Sequence, residues 1–301
     1  MNVPNLLVRN APSHRFGLVA TALLFGAGST ATAHDFWIEP STFSLAAGSR
    51  LDVRLCVGEG VEGWPLPRND RRIERFESIG GPGAQPLLGI DGVDPAGVAR
   101  LRTSGVHIVA FESKPSIANM PAEQFSGYLK EKGLEPILMR RERRGESQRG
   151  ARDAYSRHAK ALVRVGGSRE TLVDREIGLR LELIAEPERP GDARSFRLLY
   201  EGKPLANALV AATRLGAAAS DLHVRTDTQG RATLGLQAAG VWRIGAVHMI
   251  EARDPVVSDW ESLWASLTFE VRTPGSSAPP DAARGGVCRN RVVASAAQGR
   301  R

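Results

Sequence analysis

Short runs of alternating apolar and polar residues, separated by turn residues, fill most of the sequence between residues 34 and 272. In Leu51-Asp-Val-Arg-Leu-Cys-Val57 every second residue is apolar, which places one face of a strand against a core. Similar runs cover 106–111, 179–183, 232–236 and 241–249. Parallel strands need crossovers of about a dozen residues or more, and few connections here leave room for a helical crossover. The pattern predicts an all-β fold of antiparallel sandwiches.

One stretch changes to helical periodicity. Phe125, Tyr128 and Leu129 recur at the i, i+3 and i+4 positions of a helix, with a proline before them and a glycine after them. A second helical run ends in arginines at 140–144 with glutamates among them, which is typical of a solvated helix end. We therefore expect a helical insertion at about 121–145, within the first sandwich.

The turn-rich segment around Gly166-Gly-Ser-Arg-Glu170 divides the strands into two groups. We expect one β-sandwich over 34–166 and an immunoglobulin-like β-sandwich over 175–272. The second group, with "GKPLANALV", "TDTQGRATLGL" and "AGVWRIGAVH", resembles prealbumin-like and carboxypeptidase-regulatory modules over about ninety residues. Such sandwiches carry many unrelated functions, so this resemblance implies a fold and no activity. Residues 273–301, rich in Pro, Gly, Ser and Arg, predict a disordered basic tail.

The first 33 residues have the pattern of a cleavable secretory signal peptide. Arg9 and Arg15 precede the apolar run 18–28, and Ala31-Thr32-Ala33 matches the small-residue cleavage rule. The run is about half of the ~20 residues that a membrane span requires, and no later stretch is apolar enough to span. We expect cleavage after Ala33, export to the periplasm and no transmembrane segment in the mature chain.

The basic charge of the chain lies in its two ends. The formal net charge is +7, but residues 34–272 carry 33 Lys and Arg against 32 Asp and Glu. The body of the protein is therefore nearly neutral, and no nucleic-acid partner is expected.

Cleavage after Ala33 would make His34 the first residue of the mature chain. Its free α-amine and its imidazole could then chelate one metal ion, which an internal histidine cannot do. The reference pKa values, about 7.7–8.0 for the amine and 6.5 for the imidazole, are close enough to 7 for a metal ion to displace their protons. Nitrogen donors of this kind suit nickel, cobalt and copper.

Enzymatic function has little support in the sequence. There is no G-x-S-x-G elbow, no H-E-x-x-H motif and no P-loop, and neither cysteine has an activating neighbour. We therefore expect a binding protein and not an enzyme.

The remaining candidates for a binding site are histidine and methionine side chains, which could bind a metal ion, and residues around two tryptophans. The predicted metal ligands are His34, His248, His107 and Met249, and His158 and His223 lie in polar contexts of little weight. His248 and Met249 are adjacent on a predicted strand, so they point to opposite faces. The further candidate pocket residues are Asp35, Trp37, Asp259, Trp260, Glu261 and Trp264. The two late tryptophans are equally compatible with the edge of a core.

Cys56 lies in a predicted strand and Cys288 in the predicted tail. Pinning a flexible tail to a strand would be unusual, so we expect two unpaired cysteines, although the sequence alone does not exclude a bridge.

Several motifs together resemble one bacterial family. They are "HDFWIEP", "LCVGEG", "PLPRNDRRIERF", "MPAEQFSGYLKEKGLE", "YSRHAKALVRVG", "VHMI" and "DWESLWASLTFE", from His34 to about Val271. The family is the exported domain-of-unknown-function family associated with nickel and cobalt uptake and described as similar to the nickel-transport M subunit. The resemblance implies a periplasmic two-domain β protein without established catalytic activity, working beside a metal transporter. The membrane-spanning C-terminal segment of some relatives is missing here, which favours a free periplasmic protein.

Two functional hypotheses follow. The first is a metal-binding accessory protein for nickel or cobalt, with copper as a further option. The second is a metal-free interaction or carbohydrate-binding module that uses Trp260 and Trp264. The sequence leaves open the metal, the partner and the oligomeric state.

Overall fold

The structure is a computed structural model, and it describes residues 34–81, 83–168, 172–187, 193–217, 221–272 and 288. These described residues belong to one compact unit. The predicted signal peptide and, apart from Cys288, the predicted tail lie outside the described residues.

The described residues contain eighteen strands and two helices. In the first half these are β1 (Asp35–Pro40), β2 (Ser44–Leu45), β3 (Ser49–Glu59), β4 (Glu62–Leu66), β5 (Ile73–Gly80), β6 (Gly83–Pro86), β7 (Gly97–Leu101), β8 (Gly105–Ser113), β9 (Ser116–Met120), α1 (Ala122–Glu131), α2 (Glu135–Arg143) and β10 (Ala151–Val165). The second half contains β11 (Leu181–Ala185), β12 (Ala193–Tyr200), β13 (Lys203–Pro204), β14 (Leu209–Arg214), β15 (Leu222–Arg225), β16 (Arg231–Gly235), β17 (Gly240–Glu251) and β18 (Trp260–Val271). The all-β prediction is confirmed, and the helices fall within the predicted insertion at 121–145.

The strands form three sheets. Sheet A has the order β1-β3-β4, with β7 also paired to β3. Sheet B has the order β15-β14-β17-β18-β10-β8-β5-β6, with β2 and β9 also paired to β10. Sheet C has the order β11-β12-β13, with β16 also paired to β12.

Sheet B is the middle layer, and apolar cores cover both of its faces. On β8, Ile108 and Ala110 join the core shared with sheet C, whereas Val109 and Phe111 join the core shared with sheet A. Alternate side chains of a strand point to opposite faces, so a strand buried on both sides is apolar at nearly every position. The run Val106-His-Ile-Val-Ala-Phe111 has this composition because it crosses the centre of the molecule.

The helical insertion covers the part of sheet B that sheet A leaves open. Phe125 and Leu129 of α1 pack in one core with Val247 and Met249 of β17. The adjacent side chain of Ala246 belongs to the core with sheet C, so the helices lie on the opposite face from sheet C. Sheet A and the insertion are therefore neighbours on one face, and the border between them is the position of the cleft described below.

The two predicted sandwiches share sheet B. Strand β10, from the first predicted segment, pairs in parallel with β18, from the second, over nine residue pairs from Asp153↔Trp260 to Ala161↔Thr268. Lys160 of β10 also donates to Glu182 of β11 at 2.8 Å, and both side chains are fully buried. The parallel pair differs from the antiparallel expectation because β10 and β18 are far apart in the chain. Independent folding of 34–166 and 175–272 stays a prediction.

The expectation of two unpaired cysteines is wrong: Cys56 and Cys288 form a disulfide. The bridge is buried beside Trp37, and the Cys288 backbone N–H donates to the Glu39 carboxylate at 3.2 Å. The two cysteines are 232 residues apart in sequence. Neither their spacing nor the local composition reveals a pairing at that distance.

Residues 62–66 form the edge strand β4. Pro65 is tolerated there because an edge strand leaves one row of backbone donors unused. The glycines of Gly58-Glu-Gly-Val-Glu-Gly63 have the spacing of a dinucleotide-binding loop, but that loop must join a strand to a helix. Here they lie in the β3–β4 hairpin, where Gly63 packs directly against the ring of Trp37.

Candidate functional site

A cleft of about 430 Å³ lies at the border between sheet A and the helical insertion. Its floor is formed by β14, β17 and β18 of sheet B, and its walls by the start of β1, the end of β3 and the end of α1. We call it the acidic cleft, because four carboxylates line it against two permanently cationic side chains. The carboxylates belong to Asp35, Glu59, Glu131 and Asp221, and the cations to Lys132 and Arg243.

Asp35 joins the two cations at the bottom of the cleft. Its carboxylate accepts from Lys132 Nζ at 3.0 Å and from Arg243 Nη2 at 2.7 Å. Arg243 is 5% exposed and also donates to Thr213 Oγ1 at 3.3 Å. Burial works against the charged ammonium of Lys132, but the Asp35 and Glu131 carboxylates raise its pKa above the usual value. One carboxylate thus bridges two cations from different layers of the fold, and Glu131 supplies Lys132 with a second acidic partner at 2.8 Å.

Strand alternation explains how these groups meet. On β17, Arg243, Gly245 and Val247 share the face that the insertion and sheet A border, and all three line the cleft. The Arg243 guanidinium is stabilised there because it lies over the Trp37 ring, 5.1 Å from the centroid, and pairs with Asp35. The missing side chain of Gly245 leaves space on the same floor.

His34 lies at the rim of the acidic cleft, next to a carboxylate that lines it. Its Nε2 is 3.6 Å from Glu59 Oε1, and its ring meets the edge of Trp64 at 5.2 Å between centroids. Glu59 is the last residue of β3, where its side chain is mostly exposed. The rim therefore combines an imidazole with an accessible carboxylate, the kind of donor pair that divalent transition metals accept.

The other predicted metal ligands lie elsewhere. His107 is buried, with Nε2 2.7 Å from the Thr103 carbonyl oxygen and Nδ1 3.4 Å from Ser78 Oγ. Met249 is a core residue beneath the helices. Within the described ranges, no group of three or more His, Cys, Asp or Glu side chains is arranged to hold a metal ion.

His248 faces away from the insertion, against the Tyr200 ring at 4.6 Å between centroids. Burial, assisted by the nearby Arg180 charge, lowers the pKa of His248. The imidazole is therefore neutral near pH 7, but the Arg180 guanidinium beside it repels cations.

Of the six further pocket candidates, Asp35 and Trp264 line the acidic cleft. Trp37 and Trp260 are buried, with 0% and 2% of their surfaces exposed. Asp259 pairs with Arg152 at 2.9 Å near the surface, and Glu261 pairs with Arg180. The cluster 259–264 is thus divided among the two faces and the edge of β18.

A buried hydrogen-bond network lies behind Trp264. Trp264 Nε1 donates to Ser262 Oγ at 3.2 Å, and Ser262 Oγ donates to Asp153 Oδ2 at 2.6 Å. The Tyr128 ring stacks on Trp264 at 5.5 Å between centroids and 5° between planes. Burial raises the pKa of Asp153 to about 7, against the opposing effect of the Ser262 hydrogen bonds. A buried carboxyl group that titrates near neutral pH therefore lies behind Trp264, one of the residues that line the cleft.

Sequence reasoning missed Glu59, Lys132 and Arg243. Each is a charged residue at the end of an element or within an apolar strand. The arginine inside Val241-Trp-Arg-Ile-Gly-Ala-Val247 carried a signal, because a charged residue in an otherwise apolar strand requires a buried partner. Its partner, Asp35, lies 208 residues away in sequence.

The three sheets define an all-β sandwich protein, and the acidic cleft lies between its sheet A and its helical insertion. The chain belongs to the family described as "Domain of unknown function (DUF4198)", whose profile matches residues 31–250. No curated protein matches the sequence.

A solved structure of the "D0-D1 domain of Intimin" is similar at 12% sequence identity, covering 79% of this chain and 98% of that chain with a TM-score of 0.20.

Proposed function

We propose that the protein is a periplasmic metal-binding accessory protein whose site is the rim of the acidic cleft, where His34 and Glu59 meet. The observation that carries the proposal is the 3.6 Å separation between His34 Nε2 and Glu59 Oε1. The function is binding and delivery, not catalysis, and the partner is a component of a metal uptake system.

The proposed metal ligands come from His34 and from the nearby side chain of Glu59. Cleavage after Ala33 adds the α-amine of His34 to its imidazole, and Glu59 supplies a carboxylate oxygen. Two nitrogens and one oxygen suit nickel and cobalt, and also copper. The carboxylates of the cleft outnumber its permanent cations, so the local field favours a divalent cation. Of the four predicted ligands, His34 lies at this rim, and Glu59 is a further ligand there. The other three pack elsewhere: His107 against Thr103, His248 against Tyr200 and Met249 in the core beneath the helices.

The same observations support the carbohydrate-binding hypothesis less well. A sugar ring needs an open aromatic face, but Trp260 is buried and Trp264 is stacked on Tyr128.

The test is calorimetric titration of Ni²⁺, Co²⁺ and Cu²⁺ into the processed protein, whose N-terminus is first sequenced to establish that it begins at His34. We expect His34→Ala to weaken binding by about 100-fold and Glu59→Gln by about tenfold, since each removes a ligand from a small shell. A single residue added before His34 should be nearly as damaging as His34→Ala, because it displaces the amine and leaves every side chain in place.

Glu62→Gln is the matched control, because Glu62 lies opposite Glu59 in the β3–β4 hairpin and is equally exposed to solvent. It should leave the affinity within about twofold of the wild type. Binding should also weaken at acidic pH, because protons compete with the metal ion for its nitrogen ligands. Equal affinities for the processed, extended and His34→Ala proteins would contradict the proposal.

A further inference from the structure

A second cavity, of about 460 Å³, lies under sheet A on the other side of β1 from the floor of the acidic cleft. We call it the arginine cavity. Its apolar walls include Phe36 of β1, Leu55 of β3 and Phe111 of β8. Its polar lining includes the hydroxyl-bearing residues Ser113 and Tyr155 and three arginines, Arg68, Arg72 and Arg157, and none of the described residues that line it carries a carboxylate.

One of the three arginines is fully satisfied within the protein. Arg68 pairs with Asp70 at 2.6 Å and donates to the carbonyl oxygens of Leu87 and Ala96 at 3.2 and 3.0 Å. Its charge is therefore neutralised, and its geometry is fixed by the loop that it holds.

The other two arginines lack acidic partners among the described residues. Arg157 on β10 places its guanidinium over two rings, 4.6 Å from the Phe36 centroid and 5.5 Å from the Tyr155 centroid. Arg72 donates to the Tyr155 hydroxyl at 3.3 Å and forms no ion pair within the part of the chain that the structure describes. Burial, and to a smaller extent the nearby charge of Arg72, lowers the pKa of Arg157.

Two guanidinium groups near each other, one of them desolvated, destabilise each other unless an anion is present. The planar fork of arginine matches a carboxylate, and the hydrogen bond is stronger when both groups are charged. The aromatic walls favour a ligand with an apolar body over a small hydrated anion, and the volume lies in the range of small-molecule sites. We propose that the arginine cavity binds a small organic carboxylate, with the carboxylate on Arg157 and Arg72 and the apolar part against Phe36 and Phe111.

This site is separate from the proposed metal site, since its lining contains neither His34 nor Glu59. The test uses benzoate and phenylacetate as probes, added to metal-free processed protein and followed by calorimetry. Benzamide serves as the neutral isostere of benzoate, and sulfate as an anion without an apolar body.

We expect at least one of the two carboxylates to bind with a Kd below about 1 mM, and benzamide and sulfate to bind at least about tenfold more weakly. Arg157→Met and Arg72→Gln should each weaken carboxylate binding by about tenfold or more. Arg71→Gln is the matched control, because Arg71 is the exposed neighbour of Arg72 and does not line the cavity. It should change the affinity by less than about twofold.

The Arg72 variant keeps the test decisive if Arg157→Met fails to fold, since Arg72 is exposed. Failure of both carboxylates to bind, equal binding of sulfate, or an equal effect of Arg71→Gln would each overturn the proposal. Glu59→Gln should leave carboxylate binding unchanged, so failure here is distinguishable from failure of the metal proposal.

Discussion

The acidic cleft and the arginine cavity are similar in volume, about 430 and 460 Å³, but opposite in charge. Phe36 of β1 borders both. In the cleft, Lys132 and Arg243 both pair with Asp35. In the cavity, the Arg157 guanidinium lies over two aromatic rings and has no acidic partner among the described residues. The cations of the cleft pair with carboxylates of the protein and stabilise the fold, whereas Arg72 and Arg157 of the cavity are available to a ligand.

The two sites also differ in how much of the chain they use. The lining of the arginine cavity comes from residues 36–157, within the first predicted sandwich. The lining of the acidic cleft extends from Asp35 to Ser266 and draws on both predicted sandwiches. The cleft therefore depends on the shared sheet, whereas the cavity depends on sheet A and the strands beneath it.

The largest difference between the two sites should appear when Asp35 is neutralised. Asp35→Asn leaves Lys132 and Arg243 side by side without their common carboxylate. We expect it to lower the free energy of unfolding by about 3 kcal/mol, because it breaks a largely buried ion pair. Urea unfolding of the two proteins measures this difference.

Asp221→Asn is the control for that experiment. Asp221 also lines the cleft, but it is exposed and accepts a hydrogen bond from Thr213, which asparagine can still accept. Its effect should stay below about 1 kcal/mol. Equal changes in the free energy of unfolding for the two substitutions would show that the Asp35 ion pairs do not stabilise the fold.

The second difference is in the pH dependence of stability, which comes from Asp153, buried behind the cleft residue Trp264. The folded pKa of Asp153 is about 7, whereas an aspartate in the unfolded chain titrates near about 3.9. Between these values the unfolded chain has lost its proton and the folded protein has kept it, so stability falls as the pH rises and levels off above about 7.

Asp153→Asn cannot ionise, so it should gain about 2 kcal/mol relative to the wild type between about pH 5 and pH 7. Denaturant unfolding across that range measures the gain. Asp259→Asn is the control: the Arg152 hydrogen bond lowers the pKa of Asp259, so its effect changes only at lower pH. A constant difference between Asp153→Asn and the wild type would contradict the assignment.

The smallest effect should come from Arg157→Met in the absence of ligand. Methionine fills a similar volume, and the lost contacts with Phe36 and Tyr155 are offset by the removal of a desolvated charge without an acidic partner. We expect the free energy of unfolding to change by less than about 1 kcal/mol. A loss of more than about 2 kcal/mol would show that Arg157, like Arg243, serves the fold.

The elements of the fold could be predicted because their signals are local. The alternation at 51–57 and 241–249 indicated strands, and the spacing of Phe125, Tyr128 and Leu129 indicated a helix, because backbone periodicity decides which side chains share a face. Asp35 and Trp264 were expected in a pocket and line one, and His34 lies at its rim.

The tertiary structure decided which of these elements meet. Only the fold shows that Cys56 bonds with Cys288, that β10 pairs with β18, and that Arg243 and Lys132 share Asp35. It also shows which arginines have acidic partners among the described residues, such as Arg243 with Asp35, and which, such as Arg157, do not. Each of these contacts joins residues that are far apart in the chain. Local periodicity determines the face on which a side chain lies, but the partner across a core depends on how distant strands are brought together.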